Sequence, residues 1–142
     1  RLNDRYGPFN LDVAASSENA KCDLYYTKQA NALEQNWYGD VWCNPPYHSI
    51  DAWVAKAIVE CMENETTVTM LLPNRTDRPW FAKLWAYSSE MHFIQGRLNF
   101  SGPHEVKNSN SPQGSIVFHL DGSNLGYSKT HIGFMNKQGD VL

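Results

Sequence analysis

The chain of 142 residues has no apolar run approaching the roughly 18 residues that a membrane-spanning helix needs, and no charged-then-apolar leader stretch. The expectation is therefore a cytoplasmic protein with no membrane partner. Cysteine is scarce: Cys22, Cys43 and Cys61 form an odd set without metal-ligand spacing. They read as reduced, buried small hydrophobes rather than bridges or ligands, and no metal site is expected. An excess of positive charge is also missing, with 12 Lys and Arg against 15 Asp and Glu, a net charge of −3 and a pI near 5.9. That balance excludes a protein that coats nucleic acid by bulk electrostatics, and leaves room for a local basic face. Neither a G-x-G-x-x-G fingerprint nor an internal repeat is visible.

What is present describes one globular domain. Hydrophobic residues make up 42% and charged residues 19%, and the length suits a single core rather than two. Aromatics reach 13%, which serves core packing first and base stacking second.

Arg1 to Tyr6 read as the last turn of a helix, with Gly7 at a left-handed position after it and Pro8 preventing continuation. A helix that lacks its beginning suggests a domain missing an N-terminal segment. Phe9-Asn10-Leu11-Asp12-Val13 alternates as a strand does and runs into the small residues Ala14-Ala15-Ser16-Ser17. An acid at a strand end before small residues suits a nucleotide-like ligand, because the backbone can come close there; a plain strand and turn has the same pattern. Residues 18–26 are too polar and short to assign, although Cys22, Leu24, Tyr25 and Tyr26 could add a short strand.

Gly39 opens the strand Asp40-Val41-Trp42-Cys43, which ends in Asn44-Pro45-Pro46-Tyr47. Two consecutive prolines give no N–H to a sheet and force extended backbone, so the strand stops in a rigid bracket. Such a bracket holds the Asn44 amide, the Pro45 carbonyl and the Tyr47 ring at fixed separations. The same residues also read as an ordinary Pro-rich turn.

Residues 49–64 carry Ile50, Trp53, Val54, Ala57, Ile58, Cys61 and Met62 at the spacing of one buried helical face, with Ser49 as cap. The β-branched, apolar run 67–73 reads as a central strand. Asp77 is placed to cap a further helix through Trp80, Phe81, Leu84 and Trp85. The alternation predicts parallel strands joined by crossovers. Strands follow at 91–95, prolonged toward Phe100, at 115–120 and at 130–135, and 137–140 form a turn that returns to Val141-Leu142. The polar stretch 101–114 lacks the apolar surface to order itself without a partner. The fold class is α/β, mostly parallel with an antiparallel C-terminal end.

Five ordered segments extend this reading: residues 9–16, Asn31-Ala32-Leu33 before Trp37, 41–47, 70–77 and Gly96-Arg97-Leu98-Asn99-Phe100. Together they resemble the phage-encoded DNA N6-adenine methyltransferases of the Dam type. The resemblance implies a Rossmann-like sheet in three α/β/α layers, a single catalytic domain over residues 1–142, S-adenosylmethionine as cofactor and double-stranded DNA as partner. It further implies a phage or prophage origin, a role in restriction-modification or regulation, and a short adenine-containing site such as GATC. Carried over by position, Asn44, Pro45, Pro46 and Tyr47 would be catalytic. Asp12, Ala14, Ala15, Asn31 and Leu33 would bind the cofactor, and Arg75, Arg78, Arg97 and Lys107 would meet DNA. The sequence departs from the broader methyltransferase pattern in lacking the first motif's glycines and in carrying Asn31 where aspartate is commoner. Two other functions compete with this one: the same motif on protein glutamine or RNA, and a catalytically inactive DNA-binding α/β module.

Overall fold

The computed structural model describes residues 2–99, 113–126, 129 and 131–142. Its regular elements are α1 (Leu2–Tyr6), β1 (Leu11–Asp12), β2 (Asp40–Cys43), α2 (Ile50–Asn64), β3 (Thr67–Pro73), α3 (Pro79–Tyr87), β4 (Glu90–Ile94), β5 (Ser115–Asp121) and β6 (His131–Met135). They form a mixed α/β fold around one six-stranded sheet of order β1-β2-β3-β5-β4-β6.

β1, β2 and β3 run parallel, β5 runs against both β3 and β4, and β6 is parallel to β4. The sheet is thus mostly parallel, as expected, but its antiparallel strand is internal rather than terminal. The crossover through α3 leaves a gap one strand wide, and β5 fills it along its whole length, from Thr67 opposite Asp121 to Pro73 opposite Ser115. That pairing is a long-range choice, which local patterning does not encode.

Period-two alternation divides the core between the two faces of the sheet. Val41, Cys43, Val68, Met70 and Leu72 face α2 and α3, whose Trp53, Val54, Ala57, Ile58, Trp80 and Leu84 close that side. Trp42, Leu71, Val117 and Met135 face the other way, where Tyr6 of α1, Phe9 and part of Cys22 pack on them. Each fully buried aliphatic or aromatic side chain contributes about 1.5–3 kcal/mol.

α2 forms as its periodicity predicts, with two differences. Met62 is 61% exposed, and the buried position belongs to Glu60, 3% exposed. A carboxylate is tolerated there because Lys56 Nζ and Asn64 Nδ2 each donate to it at 2.6 Å and the Trp37 N–H at 3.1 Å. Burial pushes this carboxyl up, and those hydrogen bonds together outweigh it, so the net shift is downward. Ser49 makes no side-chain cap; α2 is entered instead from a 3-10 turn, Tyr47–Ser49.

Asp77 does not cap α3 either. Arg78 occupies that position, and Pro79 at the first turn removes a donor that would otherwise need a cap. Gly7 has no left-handed backbone; it is required because a Cβ would stand 2.5 Å from the Asn3 carbonyl oxygen. β4 is not prolonged toward Phe100, since the chain turns at Gly96 (φ +87°) and 97–99 are irregular. The strand sought among residues 18–26 is reduced to a single bridge from Tyr25 to Asp12. Val141 returns antiparallel to Met135 across the expected turn. Most of the polar stretch 101–114, including Lys107, lies outside the described residues. Among the described residues no helix is long and apolar enough to cross a membrane.

Candidate active site

The parallel strands β1, β2 and β3 end at one edge of the sheet, and the loops that follow them build the site. After β2 come half-buried Asn44, buried Pro45, exposed Pro46 in extended backbone (φ −62°, ψ 134°) and half-buried Tyr47, with no residue between the bracket and the 3-10 turn into α2. The bracket is therefore clamped between a core strand and a core helix. Tyr47 also packs on the helix-side core. Burial raises its phenol, and the charge of Arg75 works in the opposite direction.

After β1 the chain is organised by Asp12, which is 3% exposed. Its Oδ1 accepts the Ala14 N–H at 3.3 Å and its Oδ2 the Lys21 N–H at 2.9 Å. Burial raises the Asp12 carboxyl, and those two backbone donors oppose the rise. The Asp12 N–H donates to Leu24 and its carbonyl accepts from Tyr26, so residues 24–26 form a short outer rail beside β1. Residues 14–21 lie as a loop between strand and rail.

Asn31 adopts left-handed backbone (φ 51°, ψ 77°), which Asn tolerates better than most side chains, and leads into the 3-10 turn Ala32–Glu34. The fully buried Trp37 anchors that turn by donating its indole N–H to the Ala32 carbonyl at 2.9 Å. Leu33 packs half-buried against the core beside it.

These loops enclose a cavity of about 820 Å³ whose walls include Ala14, Ala15, Asn31, Leu33, Asn44 and Pro45. Pro46 and Tyr47 complete the bracket's share, and Trp53 of α2 contributes an aromatic wall. A second cavity of about 240 Å³ adjoins it, lined by Asp12, Lys21, Trp42, Leu71 and Asn99. Ala14, Asn19 and Asn44 line both. Eight of the nine residues that the sequence nominates as catalytic or cofactor-binding thus surround one space, and Asp12 stands in the adjoining one. Asn19, Lys21 and Trp53 are additional, and sequence reasoning missed the first two because residues 18–26 carry no periodicity. The usable signal was Asp12 itself: a carboxylate buried at a strand end needs backbone donors from a loop that folds back on it.

The nominated basic residues divide. Arg75 Nε donates to Gln113 Oε1 at 2.9 Å, and the Arg97 guanidinium lies 3.1 Å from where a Cβ on Gly114 would stand. The Asn74 N–H donates to the Gly114 carbonyl at 2.8 Å, so Arg75 and Arg97 flank one short segment at the bracket's edge of the sheet. Arg78 is exposed at the start of α3, one turn further along. Cys43, directly before the bracket, is fully buried, and burial holds its thiol well above the ordinary range.

A DNA N-6-adenine-methyltransferase of Escherichia phage T1 is 40% identical over 100 residues, covering 68% of this chain and 41% of that protein. A DNA N-6-adenine-methyltransferase of Haemophilus phage HP1 is 30% identical over 115 residues, covering 78% of this chain and 66% of that protein. The chain thus spans less than two thirds of either relative. The family described as DNA N-6-adenine-methyltransferase (Dam) matches residues 1–138, and the chain belongs to that family.

Proposed function

We propose that the chain is the catalytic domain of a DNA adenine-N6 methyltransferase that uses S-adenosylmethionine and acts on double-stranded DNA. The observation that carries this reading is the 820 Å³ cavity, in which the bracket and four of the five nominated cofactor residues, all but Asp12, form a common wall. Its volume lies within the roughly 300–1,000 Å³ of small-molecule sites. Its small Ala14 and Ala15, aromatic Trp53 and amide Asn31 suit a nucleoside cofactor. S-adenosylmethionine, when bound, supplies an electrophilic methyl group on sulfonium sulfur.

The chain's own residues act on the base. The exocyclic amine of adenine is a poor nucleophile because its lone pair is delocalised into the ring. The Asn44 side-chain oxygen and the Pro45 carbonyl accept its two hydrogens and favour the pyramidal form that frees the lone pair. Tyr47 stacks on the base; such a contact contributes about 1–3 kcal/mol, comparable with the few kcal/mol that extrusion from a duplex costs. Arg75 and Arg97 contact backbone phosphates beside the extruded base, with Arg78 and Lys107 as further contacts. Buried, protonated Cys43 has no part in the chemistry. For the whole protein, family membership and sheet order support a Rossmann-like, three-layer α/β/α architecture in a phage-derived cytoplasmic enzyme.

Transfer of labelled methyl groups to adenine-containing duplex DNA, to RNA and to a protein extract tests this reading. Incorporation into duplex DNA is the expected result. Incorporation into protein or RNA alone overturns the assignment of substrate, and failure of the whole protein to bind S-adenosylhomocysteine favours an inactive DNA-binding module.

A further inference from the structure

Methyl transfer to an exocyclic amine leaves a proton to be disposed of, and the bracket has no base to take it. The adenine nitrogen forms a bond to the methyl carbon as the carbon–sulfur bond breaks, its electron pair returning to sulfur. The nitrogen then carries a positive charge and must release one of its two hydrogens as a proton. The Asn44 amide oxygen and the Pro45 carbonyl accept hydrogen bonds, but an amide is too weak a base to hold a proton in water.

The cavity wall narrows the choice. Among the described residues that line the 820 Å³ cavity, three have titratable side chains: Lys28, Tyr47 and His48. A lysine ammonium has donors and no acceptor. Burial raises the Tyr47 phenol, which keeps its own proton. Asp12 stands in the adjoining cavity, with both carboxylate oxygens accepting backbone N–H groups. An imidazole is what remains, and histidine is the side chain that exchanges a proton near neutrality.

His48 is also placed to pass that proton on. It follows Tyr47 directly in the 3-10 turn Tyr47–Ser49, between the bracket and α2, where it lines the cavity and is exposed to solvent. Charged groups on the surrounding elements are Lys28 in the cavity wall, Asp51 in the first turn of α2 and, after β3, Arg75, whose charge reaches Tyr47. Resting on the methyl-transfer reading above, we infer that His48 is the proton acceptor of the reaction: its neutral imidazole takes the proton released by the methylated amine and delivers it to bulk water. A residue that merely shaped the turn or touched a phosphate would have a different signature. Its loss would weaken duplex binding or base extrusion, and the pH dependence of transfer would survive.

His48→Gln keeps a polar side chain in the turn and removes the base. Single-turnover methyl transfer by the whole protein, with duplex DNA and S-adenosylmethionine saturating, is followed from about pH 5 to 8. Wild type is expected to gain rate as the imidazole loses its proton and then to level off. His48→Gln is expected to be slower by about tenfold or more at that plateau, with a flat profile. Added imidazole should restore part of the rate to His48→Ala. Three readouts need no methyl transfer: duplex affinity, S-adenosylhomocysteine affinity, and the fluorescence rise of 2-aminopurine placed where wild type methylates adenine. In His48→Gln all three should stay within about twofold of wild type. The inference is overturned if His48→Gln transfers methyl groups within about twofold of wild type, keeps the wild-type pH profile at a lower rate, or loses duplex binding or extrusion in proportion to rate. Wild-type protein that methylates no substrate overturns the methyltransferase reading and this inference together, a result distinct from the other three.

Discussion

The two ends of the sheet use polar side chains in opposite ways. At the bracket end, Asn44, Asn19 and Lys21 line open cavities, and the polar atoms that are used, such as the Asp12 oxygens, shape the loop around the space. At the other end, polar groups bind one another, although Arg5, Tyr6, Glu90 and His119 also line a cavity of about 370 Å³. The Tyr6 hydroxyl lies 2.6 Å from Glu90 Oε2 and 3.1 Å from His92 Nδ1, the Tyr6 ring stacks on His119 at 4.3 Å, and His92 stacks on His131 at 4.7 Å. Thr69 Oγ1 pairs with His119 Nδ1 at 2.9 Å, and Arg5 joins Glu90 at 3.2 Å. The first end is the proposed ligand site, and the second latches α1 to the sheet. Substitutions at the first should change chemistry and leave stability, and substitutions at the second should do the reverse.

The largest expected effect is at the bracket. Asn44→Ala removes one of the two acceptors proposed for the base amine and should lower single-turnover methyl transfer by about 10²–10³-fold. S-adenosylhomocysteine affinity, measured by calorimetry, should stay within about twofold of wild type. Near-normal turnover in this variant would show that the bracket is not the catalytic centre.

At the latch, Tyr6→Phe keeps the ring stacked on His119 and removes the hydroxyl between Glu90 and His92. It should cost about 1–3 kcal/mol in urea denaturation, because buried partners lose a hydrogen bond, while cofactor affinity is preserved. Loss of cofactor affinity without loss of stability would erase the distinction between the ends.

Acid should loosen the latch. His92 is fully buried, and burial, followed by the charges of Arg5 and His131, lowers its pKa from 6.5 to about 4, while Glu90 opposes the shift. The folded state therefore holds a neutral imidazole where the unfolded chain binds a proton. Stability should be flat from this group above pH 6.5 and fall as pH drops toward about 4, by about 1–3 kcal/mol. Urea midpoints measured across that window check the sign; a rise in stability on acidification within it would contradict a buried neutral His92.

The smallest effect belongs to the edge beside the bracket. Arg75→Ala should weaken duplex DNA binding by about 1 kcal/mol and reduce the slope of log affinity against log salt by about one, with little change in stability. An unchanged salt slope would remove Arg75 from the phosphate contacts.

Much of the helix-covered half was legible because its signals are local. The bounds of β3 coincide with the apolar run 67–73, and Trp53, Val54, Ala57, Ile58 and Cys61 are buried as their spacing predicts. The proline pair marked the end of β2 because proline's missing donor acts at that position and nowhere else. What was not legible depends on distant partners. Glu60 is buried in place of Met62 with the help of Trp37, 23 residues earlier, whose N–H joins Lys56 and Asn64 in binding the carboxylate. Asp77 and Ser49 have capping side chains at plausible positions, but the backbone enters each helix by another route. Asn19 gained its place in the site through Asp12, which folds the loop back by binding the Lys21 N–H.

The position of β5 has a further consequence, for synthesis. Until residues 115–121 leave the ribosome, β3 has β2 on one side and nothing on the other, and β4 has no neighbour to bridge it to the rest of the sheet. An apolar strand with an open edge is a template for pairing with other chains. The nascent domain therefore carries an open apolar edge from the completion of β3 at Pro73 until Ser115 is reached, and a single late segment closes it. Chains that stop short of Ser115 should be chaperone-bound or insoluble, and extension by the seven residues of β5 should mark the transition to a protease-resistant product.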